Sequence, residues 1–271
     1  MTLYSLKVRA LKTRQGNAIW RRWRILRGDE IGDYGRLPQL VRAYAAGRTF
    51  ADIGCMWGVN GDYSFVAEEA GATAVTGVDV FGPTPEFEEK HRVRNSSVRF
   101  VLGDATRKDV IDRVGVVDVV LCAGVLYHHP SPFDVLTALR RMCRQTLILR
   151  TASIPEIGGL PNGAVHYPHL NERQRRLWNL SSLGLGSQAG ITGPFDPGAG
   201  YGNWFWGLTP SCLMALVRNA GFTVERHAHE AFATTLICRA SDVPFVHPLP
   251  DEDESRAIGK AISAEGVAKP Q

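Results

Sequence analysis

The sequence predicts an α/β fold, with a doubly wound, mostly parallel sheet, a terminal antiparallel strand and a lid insertion. Three observations support this fold class. Between residues 49 and 150, short apolar strands alternate with helical segments, as in a parallel sheet that has helices on both faces. The first strand runs directly into a glycine-rich turn. A stretch rich in glycine, proline and aromatic residues, at 151–208, separates this region from two final strands.

The pattern of apolar residues predicts where each strand and helix begins and ends. Apolar runs predict five strands, at Thr49–Ile53, Ala74–Asp79, Val98–Leu102, Val117–Cys122 and Thr146–Arg150. Helical spacing predicts helices at Leu37–Ala46, Tyr63–Ala70, Lys108–Val114 and Phe133–Cys143, and a helical patch near Glu172–Leu180. After the insertion, a helix runs from Pro210 to Ala220, and strands follow at Thr223–His229 and Phe232–Arg239. The ligand crevice of such a sheet lies at the carboxyl ends of its strands.

The charge of the chain is unevenly distributed. The first 27 residues hold eight lysines and arginines and no acid, so the net charge of +4 leaves −4 for the remainder. Leucines, isoleucines and tryptophans lie between these cations. The arm fits a helix packed on the core or used as a substrate lid, an RNA contact, or an amphipathic helix at a membrane surface. A transit peptide also fits its composition, whereas the apolar core and cleavage site of a secretory signal are missing.

These features divide the 271 residues into three parts. Residues 1–45 form a basic N-terminal helical arm, residues 46–240 form the ligand-binding domain, and residues 241–271 form a polar C-terminal tail. The insertion at 151–208 is expected to act as a lid or substrate element, because long loops at the ligand end of a sheet are usually functional. No apolar run approaches the length of a membrane span, and the five cysteines are scattered without metal or redox spacing. We therefore expect a cytoplasmic protein without a transmembrane segment.

The turn after the first strand, Asp52–Gly61, indicates what the crevice binds. A strand, a glycine turn, a helix and a second strand that ends in Asp79 make a nucleoside-binding half of an open sheet. A dinucleotide fingerprint requires glycine at the position of Met56, where the backbone approaches a pyrophosphate. The glycines here fall at 54, 58 and 61, which favours a ligand with a ribose but no pyrophosphate.

Four segments resemble the motifs of class I, Rossmann-like S-adenosylmethionine (SAM)-dependent methyltransferases, in order and spacing. They are Asp52–Gly58, Ala74–Asp79, Val101–Ala105 and Val117–Gly124. The resemblance implies that SAM is the cofactor, and that its contacts are Asp52, Gly54, Cys55, Gly58, Asp79, Asp104, Ala105 and Cys122. Asp79 would bind the ribose hydroxyls, Asp104 would meet the adenine amino group, and Asp52 would accept from the methionine amino group, directly or through water. Cys55 and Cys122 also fit small, buried core residues.

The segment Gly124–Pro132 follows the fourth strand and contains two histidines. Its Gly-Val-Leu-Tyr-His run is similar to a subgroup that includes the tRNA wobble-uridine carboxymethyltransferases, although many relatives with such a run methylate small molecules. A hydroxyl acceptor loses its proton as the new C–O bond forms, and a histidine can take that proton. We expect His128 to be this catalytic base, and His129 and Tyr127 to orient the acceptor. A histidine that only packs on the cofactor, or caps the next helix, fits the same positions.

A second histidine pair, His166 and His169, lies in the insertion. His166 is a third candidate catalytic residue, which would orient the acceptor. Histidines of both segments, together with Glu156 or Asp196, could also bind a divalent metal such as Mg²⁺ that acidifies a sugar diol. The chain has no tight ligand spacing, so no metal ligand is assigned, and a surface loop with hydrogen-bonded histidines explains the pair equally well.

Aromatic residues are concentrated at Tyr201–Trp206, directly before a helix. Such a density is unusual for a solvated loop. Flat faces with polar tips suit a sugar, an aromatic ring or a stacked base. We expect Tyr201, Trp204 and Trp206 to line a substrate pocket together with Tyr127. A hydrophobic plug between lid and core is the alternative.

These features favour a SAM-dependent methyltransferase that acts on a hydroxyl of a small molecule, such as a sugar or a secondary metabolite. A tRNA-modifying enzyme of the same fold is the first alternative. The basic arm supports it, but the net negative remainder of the chain opposes it. A nucleotide-binding module without catalysis is a lesser alternative, motivated by the departure at Met56. The oligomeric state stays open.

Overall fold

The computed structural model describes residues 2–32, 36–180 and 191–241, and a seven-stranded sheet forms its centre. The strands found in these ranges are β1 Thr49–Ile53, β2 Ala74–Asp79, β3 Arg99–Leu102, β4 Val117–Ala123, β5 Cys143–Ala152, β6 Ala164–His166, β7 Trp206–Leu208, β8 Phe222–His229 and β9 Ala233–Ala240. The large sheet has the order β3-β2-β1-β4-β5-β9-β8. Strands β1 to β5 are parallel, and β9 lies antiparallel between β5 and β8. The predicted fold class is confirmed.

Helices cover both faces of this sheet. Those in the described ranges are α1 Leu3–Leu11, α2 Arg14–Leu26, α3 Leu37–Ala45, α4 Asp62–Glu69, α5 Pro85–Val93, α6 Lys108–Val114, α7 Pro132–Met142, α8 Glu172–Trp178 and α9 Pro210–Asn219. One face packs against α6, α7 and α9, and the other packs against α3, α4 and α5. Because both faces are covered, the central strands are largely apolar on both sides, as is typical of parallel sheets. None of the helices in the described ranges is long and apolar enough to cross a membrane.

Helix α3 belongs to the core of the domain. Its side chains Leu37, Val41 and Ala45 are buried against the same face of the sheet as α4. They lie four residues apart, which places them on one side of the helix. In packing terms, the arm that precedes the domain therefore consists of α1 and α2.

Two local features differ from the sequence prediction. Helix α7 ends at Met142 and β5 begins at Cys143, so β5 starts three residues earlier than expected, directly after the helix. Helix α5 was not predicted, because Phe87 is its only buried residue. Its start signal is nevertheless present in the sequence, since Thr84 accepts the Phe87 N–H at 3.1 Å and Pro85 occupies the first turn.

The insertion and the arm pack together above the carboxyl ends of the strands. In the insertion, β6 and β7 form a two-stranded antiparallel sheet. A third apolar cluster joins Val8 and Leu11 of α1 to Trp178, Trp204 and Phe232. Residues 181–190 of the predicted lid, and all but Ser241 of the predicted tail, lie outside the described residues.

Candidate active site

A cavity of about 660 Å³ opens at the carboxyl ends of β1, β2, β4 and β5. The insertion closes one side of it with Tyr201 and Trp204. Many residues predicted for the site line this cavity, namely Gly54, Gly58, Asp79, Asp104, Ala105, Tyr127, His128, His129, Tyr201 and Trp204. The parallel sheet therefore brings together motifs that are far apart in the sequence, as expected for an open α/β fold.

The glycine turn leaves room at the cavity floor. Gly54 has φ +84°, and a Cβ atom there would lie 2.4 Å from Val125 Cγ2, so a side chain is excluded. Gly58 has φ +73° and open space where a Cβ atom would stand. The Met56 side chain is instead buried in the core, away from the cavity. A methionine at position 56 therefore does not obstruct the cavity, which weakens the case for a non-catalytic module.

Asp79 presents a carboxylate in a fixed orientation at the cavity. Its carboxylate is buried at the end of β2, and Oδ2 accepts the Met56 N–H at 2.7 Å. Its Oδ1 accepts the Phe81 N–H at 2.9 Å. These two bonds hold the carboxylate in place, and each oxygen keeps acceptor capacity for a further donor. A ribose fits this arrangement.

Asp104 is an ionised acceptor at the end of β3. Its Oδ1 accepts from the backbone and side chain of Thr106 at 2.8 Å, and its Oδ2 accepts the Tyr201 hydroxyl at 2.5 Å. Burial raises the pKa of Asp104, but hydrogen bonds from His129, Tyr201 and Thr106 outweigh burial and hold that pKa well below its usual range. A carboxylate of this kind suits the amino group of an adenine.

The Tyr201–Asp104 bond connects the insertion to the sheet. Tyr201 also stacks on His129, with ring centroids 5.3 Å apart, and burial, followed by its bond to Asp104, raises the pKa of Tyr201 to about 12. We therefore expect Tyr201→Phe to weaken SAM binding about tenfold, because a hydrogen bond to a charged group that holds the lid is worth about 1.5–3 kcal/mol. Titration calorimetry with SAM measures the effect.

Tyr4→Phe is the matched control for this substitution. Its hydroxyl also bridges two segments, donating to the Pro155 carbonyl at 2.9 Å, but Tyr4 does not line the cavity. The control should bind SAM like the unaltered protein. Equal SAM affinity in both variants would show that Tyr201 does not hold the lid over the nucleoside.

His128 lies in an aromatic pocket in a defined tautomer. Its Nδ1 is 2.9 Å from the Asn203 carbonyl oxygen. Because a carbonyl only accepts, Nδ1 carries the ring proton, and Nε2 keeps its lone pair. The ring stacks on Trp57, with centroids 5.5 Å apart. Burial lowers the pKa of His128 and outweighs the carbonyls of Asn203 and Tyr201, which raise it, so the imidazole is neutral at pH 7.

His129 is placed differently from its neighbour. Its Nε2 lies 3.6 Å from Asp104 Oδ2, and its Nδ1 lies 3.0 Å from the Ser131 amide nitrogen. The His129 ring therefore lies at the end of the cavity that contains Asp104 and Tyr201. The sequence predicted that His129 orients the acceptor. Its position beside Asp104 instead suits a residue that supports the site expected for the nucleoside.

Three predicted cofactor residues do not line the cavity. Asp52 is buried within β1, where it accepts from Ser64 Oγ at 2.8 Å, and burial raises the pKa of Asp52 to about 7. Cys55 packs against Gly77, and Cys122 lies in the core beside α7. Direct contact of these side chains with SAM does not fit their burial. Asp52 instead holds the start of α4 through Ser64.

His166 and Trp206 also lie away from the cavity. They face each other across the β6–β7 sheet, with ring centroids 4.6 Å apart, and the Trp206 indole donates to the Pro130 carbonyl at 2.8 Å. The predicted roles of His166 in catalysis and of Trp206 in the pocket wall therefore do not fit the structure. The physical reason is that strand pairing turns both rings toward each other. Within the described residues, no group of three or more His, Cys, Asp or Glu side chains is arranged to hold a metal ion.

The structure adds residues that the sequence analysis did not assign. Arg150, at the end of β5, lines the cavity and forms a bidentate ion pair with Glu230. An arginine within an apolar strand was the signal that could have identified it. Asn203 is fully buried and holds its own loop through the backbone of Asp196, which fixes the carbonyl that His128 contacts.

Comparisons with known proteins agree with this geometry. Residues 51–149 match the family described as a methyltransferase domain. The chain is 27% identical over 229 residues to a tRNA U34 carboxymethyltransferase of Actinobacillus succinogenes, which covers 78% of this chain and 57% of that protein. The chain thus spans little more than half the length of this curated relative.

Solved structures with bound S-adenosylhomocysteine (SAH) share the fold. The N-terminal domain of EvdMO1 with SAH bound has a TM-score of 0.51 at 18% identity, covering 78% of this chain and 84% of its own. A 1,6-didemethyltoxoflavin-N1-methyltransferase of Burkholderia thailandensis has a TM-score of 0.52 at 18% identity, covering 89% and 92%. The family match identifies residues 51–149 as a methyltransferase domain, and the strand order and these likenesses show that the chain has the class I, Rossmann-like fold of SAM-dependent methyltransferases.

Proposed function

We propose that this enzyme methylates a hydroxyl group of a small molecule, such as a sugar or a secondary metabolite. The observation that carries the proposal is the position of His128, which lines the cavity and whose Nδ1 lies 2.9 Å from the Asn203 carbonyl oxygen. Its Nε2 is then a base available at neutral pH, which a hydroxyl acceptor requires and a more acidic acceptor does not. Reaction at oxygen is the chemistry that this base supports best.

SAM, when bound, supplies an electrophilic methyl group. On this proposal, Asp79 and Asp104 hold its nucleoside end, and the turn at Gly54 and Gly58 lets it approach the backbone. His128 Nε2 would accept the proton of the acceptor hydroxyl as the C–O bond forms and the bond between the methyl carbon and the SAM sulfur breaks, with SAH as the leaving group. Holding donor and acceptor side by side would provide much of the rate acceleration, because it turns a reaction between two free molecules into a step within one complex.

The walls of the cavity support a small acceptor. Tyr127 and Trp204 pack at a centroid distance of 4.1 Å, and Trp57 stacks on His128 at 5.5 Å. Such rings bind the apolar face of a sugar or an aromatic ring while excluding water. The cavity of about 660 Å³ is within the range of small-molecule sites, and the donor occupies part of it. The proposal keeps the predicted cytoplasmic location, which the five free cysteines support.

Modification of tRNA is the second candidate. The likeness to a tRNA U34 carboxymethyltransferase favours it, as do the exposed arginines of α2. An RNA substrate would bind through many phosphate contacts, so its binding would weaken steeply with salt. On this candidate, a single base enters the cavity and His128 retains its place beside it.

Label transfer from methyl-labelled SAM separates the two candidates. The purified protein is incubated with total RNA and, separately, with an RNA-free extract of metabolites and glycans from its host. We expect label in the metabolite fraction, and mass spectrometry then identifies the labelled species. The matched control is the His128→Asn variant, which should bind SAM but transfer little label. Label in nuclease-sensitive RNA would replace the first proposal with the second.

A further inference from the structure

Helix α2 exposes an apolar stripe to solvent. Ile19, Trp23 and Leu26 lie at helical positions i, i+4 and i+7, which places them on one side of the helix. Their exposed fractions are 69%, 48% and 86%, and no residue of α2 is buried. Large apolar side chains that are exposed together mark an interaction surface more often than single ones do.

Arginines border this stripe. Arg22 and Arg27 are exposed, and the Arg27 guanidinium lies 4.7 Å from the centroid of the Trp23 ring. Arg14, at the start of the same helix, is exposed as well. Residues 1–27 contain no acidic side chain, so every charged side chain of this segment is cationic. The partner must therefore offer negative charge beside an apolar phase.

An adjoining side of α2 is anchored to the protein. Trp20 packs against the third apolar cluster, and Arg24 forms an ion pair with Asp29 at 2.9 Å and contacts His229 of β8. Helix α1 is held in the same way, because Lys12 donates to the carbonyls of Arg176 and Leu177 on α8. The exposed stripe thus projects outward from a helix whose orientation is fixed.

We infer that this stripe, formed by Ile19, Trp23 and Leu26 and bordered by Arg22 and Arg27, docks on an anionic lipid surface. Aliphatic side chains enter the boundary between headgroups and acyl chains, tryptophan prefers that boundary, and arginines bind lipid phosphates. An RNA partner would use the arginines but would gain little from Ile19 and Leu26, which offer no ring for stacking. The inference concerns a surface outside the cavity, so it stands apart from the proposed methyl acceptor.

Vesicle sedimentation with the full-length chain tests this inference. The protein is mixed with vesicles of phosphatidylcholine alone, or of phosphatidylcholine with phosphatidylglycerol, at low salt and at about 0.15 M salt. We expect binding only to the anionic vesicles. Both the double variant Ile19→Ser/Leu26→Ser and the double variant Arg22→Glu/Arg27→Glu should lower the partition coefficient at least about tenfold.

The matched control changes the same residue types on another helix. Arg92 and Val93 of α5 are exposed, at 73% for the Arg92 side chain and 66% for Val93, so Arg92→Glu/Val93→Ser should bind vesicles like the unaltered protein. A SAM-induced rise in melting temperature verifies that each variant is folded. This readout keeps a failure of the inference distinct from a failure of the proposed reaction.

The absence of binding to anionic vesicles would overturn the inference. A gel-shift assay with tRNA would then identify the other partner: the second pattern is tRNA binding that the arginine variant loses and the serine variant retains, without vesicle binding. That second pattern would assign the cationic surface of α2 to nucleic acid.

Discussion

Replacing His128 with asparagine is expected to lower kcat by about 10²–10⁴-fold and to leave the Kd of SAM nearly unchanged. Asparagine preserves much of the local structure, because its Nδ2 can donate to the Asn203 carbonyl as His128 Nδ1 does at 2.9 Å. What the substitution removes is Nε2, the nitrogen assigned as the base. Single-turnover assays with the identified acceptor, and calorimetry with SAM, measure the two quantities.

The pH profile distinguishes this role from simple packing. A base must be unprotonated to act, and burial lowers the pKa of His128 below its ordinary value of 6.5. We therefore expect kcat/KM to be constant at neutral pH and above, and to fall as the pH drops below about 6.5 and His128 gains a proton. The His128→Asn variant should lack this acidic limb.

His129→Asn provides the matched comparison. His129 contacts Asp104, not the pocket formed by Trp57 and Tyr127, so its loss should affect SAM affinity more than kcat. If His128→Asn turned over at the normal rate, or retained the acidic limb, His128 would not be the base.

Replacing Asp79 with asparagine is expected to weaken SAM binding about 100-fold. An asparagine amide has only one oxygen, so it cannot accept both backbone N–H groups, from Met56 at 2.7 Å and from Phe81 at 2.9 Å. The variant also loses charged hydrogen bonds to the ribose, each worth about 1.5–3 kcal/mol. Because Asp79 is buried, the unpaired backbone group should lower the free energy of unfolding by about 1–3 kcal/mol.

Asp118→Asn is the control that separates stability from binding. Asp118 also accepts a backbone N–H, from Thr49 at 3.0 Å. It lies at the start of β4, however, so it is at the amino-terminal ends of the strands, whereas the cavity is at their carboxyl ends. This variant should have a lower free energy of unfolding and the same SAM affinity as the unaltered protein. Calorimetry and denaturant unfolding measure both, and equal SAM affinity in Asp79→Asn and the unaltered protein would contradict the assignment.

Local patterns predicted the sheet and its acidic strand ends. Strands β2 and β3 are short and largely apolar, and an acid stands at or just after the carboxyl end of each, with Asp79 closing β2 and Asp104 two residues beyond β3. The glycines at 54, 58 and 61 were informative because their backbone conformations, all with positive φ, suit few other residues. Signals of this kind depend on neighbours in the chain, so they are visible without the fold.

The direction of a buried side chain was not predictable in the same way. Asp52, Cys55 and Cys122 belong to the correct motifs, yet their side chains face the core. A motif specifies a backbone path, whereas twist and packing decide which side of that path a residue occupies. His166 and Trp206 show the same limit, because strand pairing turns each toward the other.

The sequence by itself determined the fold class, the nucleoside-binding turn and the set of candidate histidines. The tertiary structure decided which contacts each of these residues makes. The tautomer of His128 is set by the carbonyl of Asn203, which is 75 residues away in the sequence. Asp104 accepts the hydroxyl of Tyr201, which is 97 residues away and belongs to the insertion. Such contacts depend on how the insertion folds back over the sheet, and only packing over long sequence distances specifies that arrangement.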